Sequence, residues 1–188
     1  RTRAIIEEVS KQRNEPGSPR QKVGDFFASF MDEAAIEAKG AAPLRPLLAE
    51  IAAIGNREQL SIALAKANRM GVSTPVGMAV ELDLKDNSIY AGYVGQGGLG
   101  LPDRDYYLED KPKFVEVRQK YVTHIANMLT LAGIGDAAAK AGRIYDLEKK
   151  IAATHWTQTE SRQFDKLYNP FEAAELGRKL PGLAWPLF

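Results

Sequence analysis

Cysteine is absent from this chain of 188 residues, and only two histidines are present. The lack of cysteine excludes disulfides, cysteine nucleophiles and thiolate metal sites within these residues. An excess of one charge is also lacking, because 25 basic side chains balance 24 acidic ones. The resulting net charge of +1 gives no indication of a nucleic-acid partner or an anionic membrane. No apolar run approaches the roughly 20 residues that a membrane-spanning helix needs.

Both ends of the chain have the pattern of interrupted elements. Arg1 to Ile6 begins within a helical pattern and without an initiating methionine, and the chain ends in an apolar stretch, Leu183 to Phe188, that has the pattern of an unfinished element. We therefore expect a piece of a longer protein, for which the lack of a signal peptide is uninformative.

Apolar residues recur mostly at the 3.6-residue period of amphipathic helices. Ser18 and Pro19 are typical of a helix start, with Gln21 three residues after the cap. They predict a helix over residues 18–39 that ends at Gly40, while Asn56 predicts another helix start. The other helices are expected near residues 5–9, 44–54, 111–134, 136–156 and 171–180.

The period changes to two between Val76 and Leu84, which predicts a β-strand. Turn residues follow at 85–88, and residues 89–94 have the pattern of a partner strand. The predicted fold is mainly α with one β-hairpin, whose apolar face we expect the helices to cover.

The two histidines do not form a recognisable zinc site. A helical zinc-peptidase site needs two histidines four residues apart with a glutamate between them. His124 and His155 lie in different predicted helices, and neither has that glutamate nearby. They are predicted to be structural or surface residues, and no residue of this chain is predicted to be catalytic, to bind a cofactor or to ligate a metal.

The glycine-rich run over residues 95–100 has two interpretations. A phosphate-binding loop requires a lysine and a serine or threonine directly after the glycines. Leu101 and Pro102 stand there instead, which favours a tight backbone path.

Acidic and aromatic residues follow the glycines. A calcium loop of the EF-hand type needs glycine at its sixth position, and counting from Asp103 that residue is Leu108. We expect the carboxylates to cap backbone amides or pair with Arg104 or Lys111. The tyrosines are expected to be core residues rather than a binding surface. The acidic residues are Asp103, Asp105, Glu109 and Asp110, and the tyrosines are Tyr90, Tyr93, Tyr106, Tyr107 and Tyr121.

Three groups of motifs resemble those of the neprilysin and endothelin-converting-enzyme family of zinc endopeptidases. They occur in this chain in the same order as in the family. The most specific is residues 98–107, which is similar to the family's Gly-Leu-Pro-x-Arg-Asp-Tyr-Tyr block. The others are Gln21-Lys22, residues 25–32, Ile36-Glu37, Gly40 and Pro43-Leu44, then residues 147–152, Trp156 and Tyr168-Asn169.

The resemblance implies a two-lobed enzyme that hydrolyses peptide bonds in short peptides. Residues 1–188 would be an incomplete N-terminal portion of the helical lobe that caps and gates the substrate cavity. The thermolysin-like catalytic lobe, with His-Glu-x-x-His, zinc and the glutamate base, would lie in the missing remainder of the protein. The implied partners are that remainder and peptide substrates, with no nucleic acid and no membrane contact from this segment.

Phe30 stands where the animal enzymes often carry cysteine, which favours a bacterial, periplasmic or secreted member. Their substrate-gripping arginines lie upstream of this chain and do not carry over to Arg1 or Arg3. The sequence is also compatible with a second function, that of a stand-alone helical protein-interaction module. An intact product of roughly 650 to 700 residues would favour the peptidase, and a natural stop near Phe188 would favour the module.

Overall fold

Ten α-helices and one antiparallel hairpin make up the chain in the computed structural model, which describes all 188 residues. This confirms the predicted mainly helical fold with a single hairpin. The chain divides into two units, residues 1–46 and 47–188. The elements are α1 (Thr2–Lys11), α2 (Pro19–Met31), α3 (Glu33–Lys39), α4 (Arg45–Ala52), α5 (Arg57–Arg69), β1 (Val76–Leu82), β2 (Tyr90–Gln96), α6 (Asp105–Leu108), α7 (Pro112–Leu131), α8 (Ala137–Thr154), α9 (Phe164–Leu167) and α10 (Leu176–Lys179), with short 3₁₀ turns at Ala42–Leu44, Glu160–Arg162, Ala173–Glu175 and Trp185–Leu187.

In the first unit, α1 packs against α2 around the buried Val9. A Cβ on Gly24 would lie 3.0 Å from the Val9 carbonyl oxygen, so the glycine allows the two helices to approach closely. The predicted cap of α2 is confirmed, because the Gln21 N–H donates to Ser18 Oγ at 3.2 Å.

The helix predicted over residues 18–39 is wrong in its length, because α2 ends at Met31 and α3 begins at Glu33. Asp32 lies between them, and its Oδ1 accepts a hydrogen bond from the Ala35 N–H at 3.0 Å. A side-chain acceptor of this kind replaces the carbonyl of the preceding turn and starts a new helix. Gly40 ends α3 with a φ of +48°, as predicted.

Residues 171–180 also differ from the single predicted helix. The structure has a 3₁₀ turn at Ala173–Glu175 followed by α10, a single α-helical turn. The predicted start of α5 is confirmed, since Asn56 Oδ1 accepts a hydrogen bond from the Gln59 N–H at 2.9 Å.

The hairpin pairs β1 with β2 in antiparallel register, from Val76 opposite Gln96 to Leu82 opposite Tyr90. The expectation that helices cover its apolar face is wrong for this chain. Val80 is 72% exposed, and Met78 and Leu82 are also exposed.

The core of the second unit lies where α6, α7 and α8 meet. Tyr107 and Ala152 are buried there together with Leu101. The segment over residues 99–107 ends in the short helix α6. This single turn directs Tyr107 into the core and leads the chain towards α7.

Candidate functional site

The glycine-rich run carries the chain from β2 to the segment before α6. A Cβ on Gly97 would lie 2.5 Å from the Thr74 carbonyl oxygen, and one on Gly98 would lie 2.7 Å from Pro75 Cα. Gly98 also has a φ of +83°, which side-chain-bearing residues rarely adopt. The predicted tight backbone path is confirmed.

Glu148 on α8 is hydrogen-bonded to two tyrosines. Tyr107 Oη donates to Glu148 Oε2 at 2.5 Å, and Tyr121 Oη lies 2.9 Å from Oε1. Tyr107 Oη in turn accepts the Leu101 N–H at 2.9 Å and the Gly100 N–H at 3.2 Å. Since a phenol has one hydrogen to donate, both tyrosines direct theirs to the carboxylate. The network therefore joins the loop before α6 to α7 and α8.

Burial raises the pKa of both phenols, and the hydrogen bonds to Glu148 raise it further. The pKa of Tyr107 lies far above its ordinary value of 10.0, and that of Tyr121 is raised to about 12. Both side chains remain protonated at neutral pH and supply neither a nucleophile nor a base. The network is a structural connection between elements.

The other tyrosines divide between the core and the surface. Tyr106 packs against the buried cluster, and its ring centroid lies 4.4 Å from that of Phe114. Tyr93 is half-buried and donates to the Leu82 carbonyl oxygen. The prediction of core positions is wrong for Tyr90, which is 74% exposed.

Asp103 accepts a backbone hydrogen bond at the start of α6. Its Oδ1 accepts the Asp105 N–H at 2.9 Å, and its Oδ2 accepts a hydrogen bond from Gln158 Nε2 at 2.8 Å. The predicted capping role is therefore confirmed for Asp103. No side-chain hydrogen bond of Asp105 caps α6.

The remaining acidic residues form ion pairs. Glu109 pairs with Lys111 at 2.6 Å, as expected, and Asp110 pairs with Arg118 at 2.8 Å. Arg118 also donates to the backbone carbonyls of Tyr106 and Glu109. Its guanidinium therefore fixes the connection between α6 and α7.

A groove of about 400 Å³ opens beside this segment in the second unit. Arg104 and Arg162 both line it, and neither takes part in any of the chain's ion pairs. The Nε of Arg104 is buried without a hydrogen-bond partner. The other lining residues are Ser73, Gln96, Gly97, Gly98, Leu99, Leu101, Pro102, Asp103, His155, Trp156, Gln158 and Ser161.

The two histidines lie in different settings. Nε2 of His155 lies 3.1 Å from the Gly97 carbonyl oxygen, at the edge of the groove. His124 is exposed on α7. The chain brings together no group of three histidine, aspartate or glutamate side chains with metal-binding geometry. Its donor set therefore does not fit a zinc centre, and the location of a zinc site outside these residues stays a prediction.

Sequence reasoning singled out neither Glu148 nor Arg162. Glu148 belongs to one of the family-like motifs, but a single glutamate in a helix gives no indication that two tyrosines bind it. Arg162 lines the same groove as Arg104 because the chain returns to the glycine-rich run after α8, which is a long-range effect of the fold.

None of the helices is both long enough and apolar enough to span a bilayer.

The sequence model of the protein family described as Peptidase family M13 matches residues 1–188 of this chain. Among curated proteins, neprilysin-3 of Drosophila melanogaster is 25% identical over 195 residues, covering 97% of this chain and 25% of that protein. Human endothelin-converting enzyme 1 is 28% identical over 177 residues, covering 88% of this chain and 22% of that protein. The chain thus spans about a quarter of the length of these relatives.

Solved structures of the Mycobacterium tuberculosis zinc metalloprotease Zmp1 have the same fold. The open state matches with a TM-score of 0.89 and 36% identity, covering 98% of this chain and 29% of that chain. The inhibitor complex matches with a TM-score of 0.90 and 35% identity, covering 98% of this chain and 28% of that chain.

Proposed function

Because this chain belongs to peptidase family M13, we propose that the full-length protein is a zinc-dependent endopeptidase that hydrolyses peptide bonds in short peptides. The match of the family model along all 188 residues carries this proposal. The likeness to a zinc metalloprotease at 36% identity supports it. A bacterial, periplasmic or secreted protein is part of the proposal and rests on the family resemblance.

We infer that this segment is an incomplete N-terminal part of the lobe that caps the substrate cavity. Each unit has apolar side chains exposed to solvent. In the first unit, Phe26 and Phe30 are 74% and 69% exposed and line an apolar groove of about 450 Å³. In the second unit, the face of the hairpin around Val80 is bare. Exposed apolar patches of this kind mark surfaces that another part of a protein covers, and we assign that role to the remainder of this protein.

The zinc and the catalytic residues belong, in this proposal, to the remainder of the protein. The support is the donor chemistry of the chain itself, in which His124 and His155 lie apart without clustered carboxylates. A structural zinc or catalytic zinc site needs three or four such ligands around one point. We therefore expect the isolated segment to have no peptidase activity and to retain no zinc after dialysis.

The test uses the full-length protein and the isolated segment side by side. We expect the full-length protein to cleave a short fluorogenic peptide, to lose that activity with a chelator, and to spare folded proteins. Equal cleavage of short peptides and of large folded substrates would contradict the gating role. A natural stop near residue 188, with no companion chain that carries His-Glu-x-x-His, would instead favour the stand-alone helical module.

Metal analysis of the isolated, dialysed segment tests the zinc assignment separately. We expect no bound zinc. One zinc per chain that is lost on replacing His124 or His155 would contradict the assignment.

A further inference from the structure

We propose that the apolar groove formed by α1 and α2 binds a helix from the part of this protein that lies outside residues 1–188. This inference rests on the proposed function, which assigns the exposed apolar surfaces to the remainder of the protein, and it adds the form and the spacing of the segment that covers one of them. The partner is an amphipathic helix whose apolar side chains recur every three or four residues.

The second helix has an apolar face that no other residue of the chain covers. Gly24 is the one buried residue among the 13 residues of α2. Phe26 and Phe30 are 74% and 69% exposed, and Val23 is also exposed. Because most of the stability of a helix in a protein comes from the packing of its apolar face, a helix that exposes its phenylalanine side chains lacks its main packing partner.

The exposed face of α2 is different from the face that contacts α1. Gly24 faces α1, since a Cβ added to it would lie 3.0 Å from the Val9 carbonyl oxygen. At about 100° per residue, Val23, Phe26 and Phe30 fall within roughly 60° of one another around the helix axis. The same geometry places them roughly 100° to 160° from Gly24. The packing of α2 on α1 therefore leaves this face available to a third element.

The spacing of the groove residues favours a helix over a strand as that third element. The groove of about 450 Å³ is lined by Ile6 of α1, by Lys22 and by four apolar residues of α2 at positions i, i+3, i+4 and i+7. These four are Val23, Phe26, Phe27 and Phe30. A docking helix packs along this spacing with anchors of its own at the same intervals, whereas a strand presents every second side chain to one face.

The small size of the face favours the same polypeptide over a second copy of the chain. The 13 residues of α2 extend about 20 Å and a docked helix is about 10 Å across, so their contact covers roughly 200 Å² on each side. A stable interface between separate proteins buries about 800 Å² on each partner. The chain covers 29% of the Zmp1 chain in its open state, so most of a protein of that length lies outside these residues. A segment tethered in the same polypeptide reaches an effective concentration of about millimolar, which allows a small contact to form.

The test introduces the photoreactive residue benzoylphenylalanine into the full-length protein at position 26 or at position 30. The native side chains there are aromatic and exposed, which makes the probe a close replacement. The matched control carries the same probe at Asp25, which is exposed on the same helix and lies roughly 140° around it from Phe30. After irradiation, mass spectrometry identifies the cross-linked peptides.

We expect the probes at positions 26 and 30 to cross-link, within one polypeptide, to a single segment outside residues 1–188. Moving the probe by one turn of α2 should move the cross-linked position by about four residues if the partner is a helix, and by about two if it is a strand. The control at position 25 should not reach that segment.

A second measurement needs no photoreactive residue. Phe30→Asp in the full-length protein should raise the amide hydrogen-exchange rate of the cross-linked segment at least about tenfold, because it removes a buried apolar contact. Asp25→Ala is the control and should leave that exchange rate unchanged.

Cross-links to residues 1–188, cross-links between two copies, or no cross-links from positions 26 and 30 would overturn the inference. A two-residue shift of the cross-linked position, or an unchanged exchange rate in Phe30→Asp, would overturn it as well. Absence of chelator-sensitive cleavage by the unmodified protein would overturn the proposed peptidase function alone, because neither measurement depends on catalysis.

Discussion

Tyr107 donates its hydroxyl hydrogen to Glu148 across 2.5 Å, while the same oxygen accepts the N–H of Leu101 at 2.9 Å. One phenol therefore satisfies a carboxylate on α8 and a backbone amide of the loop before α6. Tyr107 is 1% exposed, so its hydroxyl is shielded from solvent.

Replacing Tyr107 by phenylalanine removes this connection while keeping the ring in the core. The Leu101 N–H loses its acceptor, whereas the Gly100 N–H keeps a longer contact with Glu148 Oε2 at 3.4 Å, and we expect the free energy of unfolding to fall by about 1 to 3 kcal/mol. Urea denaturation of the full-length protein measures the change. Tyr121→Phe is the matched control, because it removes only hydrogen bonds to Glu148, and it should cost about 1 kcal/mol. Equal costs would contradict the double role of Tyr107.

Gly100→Ala tests the close packing of the loop against α7. A Cβ at this position would lie 1.9 Å from Tyr121 Oη, which Glu148 holds in place. We expect a loss of about 1 to 3 kcal/mol, typical of overpacking a core, with a lower melting temperature as the readout. Gly95→Ala is the control, because nothing lies within 4 Å of the Cβ that it adds. A neutral Gly100→Ala would show that Tyr121 moves freely.

Alkaline pH should weaken the second unit. The folded state raises the pKa of Tyr107 far above 10.0 and that of Tyr121 to about 12. Their contribution is fully present below the unfolded value of about 10, where both states are protonated. Above that pH the unfolded chain ionises first, so stability falls as the pH rises towards 12. Melting temperatures across this range should fall less steeply for the Tyr107→Phe, Tyr121→Phe double variant, and an unchanged slope would contradict the assignment.

Replacing Asp103 and replacing Asp105 by alanine should have different effects on stability. The carboxylate of Asp103 holds the Asp105 N–H and Gln158, so Asp103→Ala should cost about 1 kcal/mol in stability. Asp105→Ala removes no cap and should be close to neutral. Turnover of a short peptide by the folded Asp105→Ala enzyme should match wild type. A large fall in turnover with unchanged melting would place Asp105 in the active site.

Local patterns were sufficient to predict most of the fold. Ser18 and Asn56 start helices as their side chains predict, and the change of period at Val76 identifies the hairpin. The predictions of helix bounds fail where a single side chain or a single turn determines the local structure. Asp32 splits a helix whose apolar stripe continues through it, and α6 is too short to show a period.

The candidate site was less predictable because it depends on contacts between distant parts of the chain. Within residues 98–107, the sequence did predict the core position of Tyr107 and the capping contact of Asp103. Neither Glu148 nor Arg162 carries a local signal, since each meets its neighbours only after the chain folds back on the glycine run. The bare face of the hairpin was not predictable either, because an alternating pattern indicates an apolar face at Val80 without indicating what packs on it.

The proposal that residues 1–188 form a non-catalytic cap of a zinc peptidase is tested by co-expression of this chain with the remaining parts of the protein as separate polypeptides. Activity is then assayed on a short fluorogenic peptide and on casein, with and without a chelator. We expect the 188-residue chain alone to self-associate and to cleave nothing, and the assembly to cleave the short peptide in a chelator-sensitive way. Chelator-resistant peptidase activity from the 188-residue chain alone would instead place an active site within these residues.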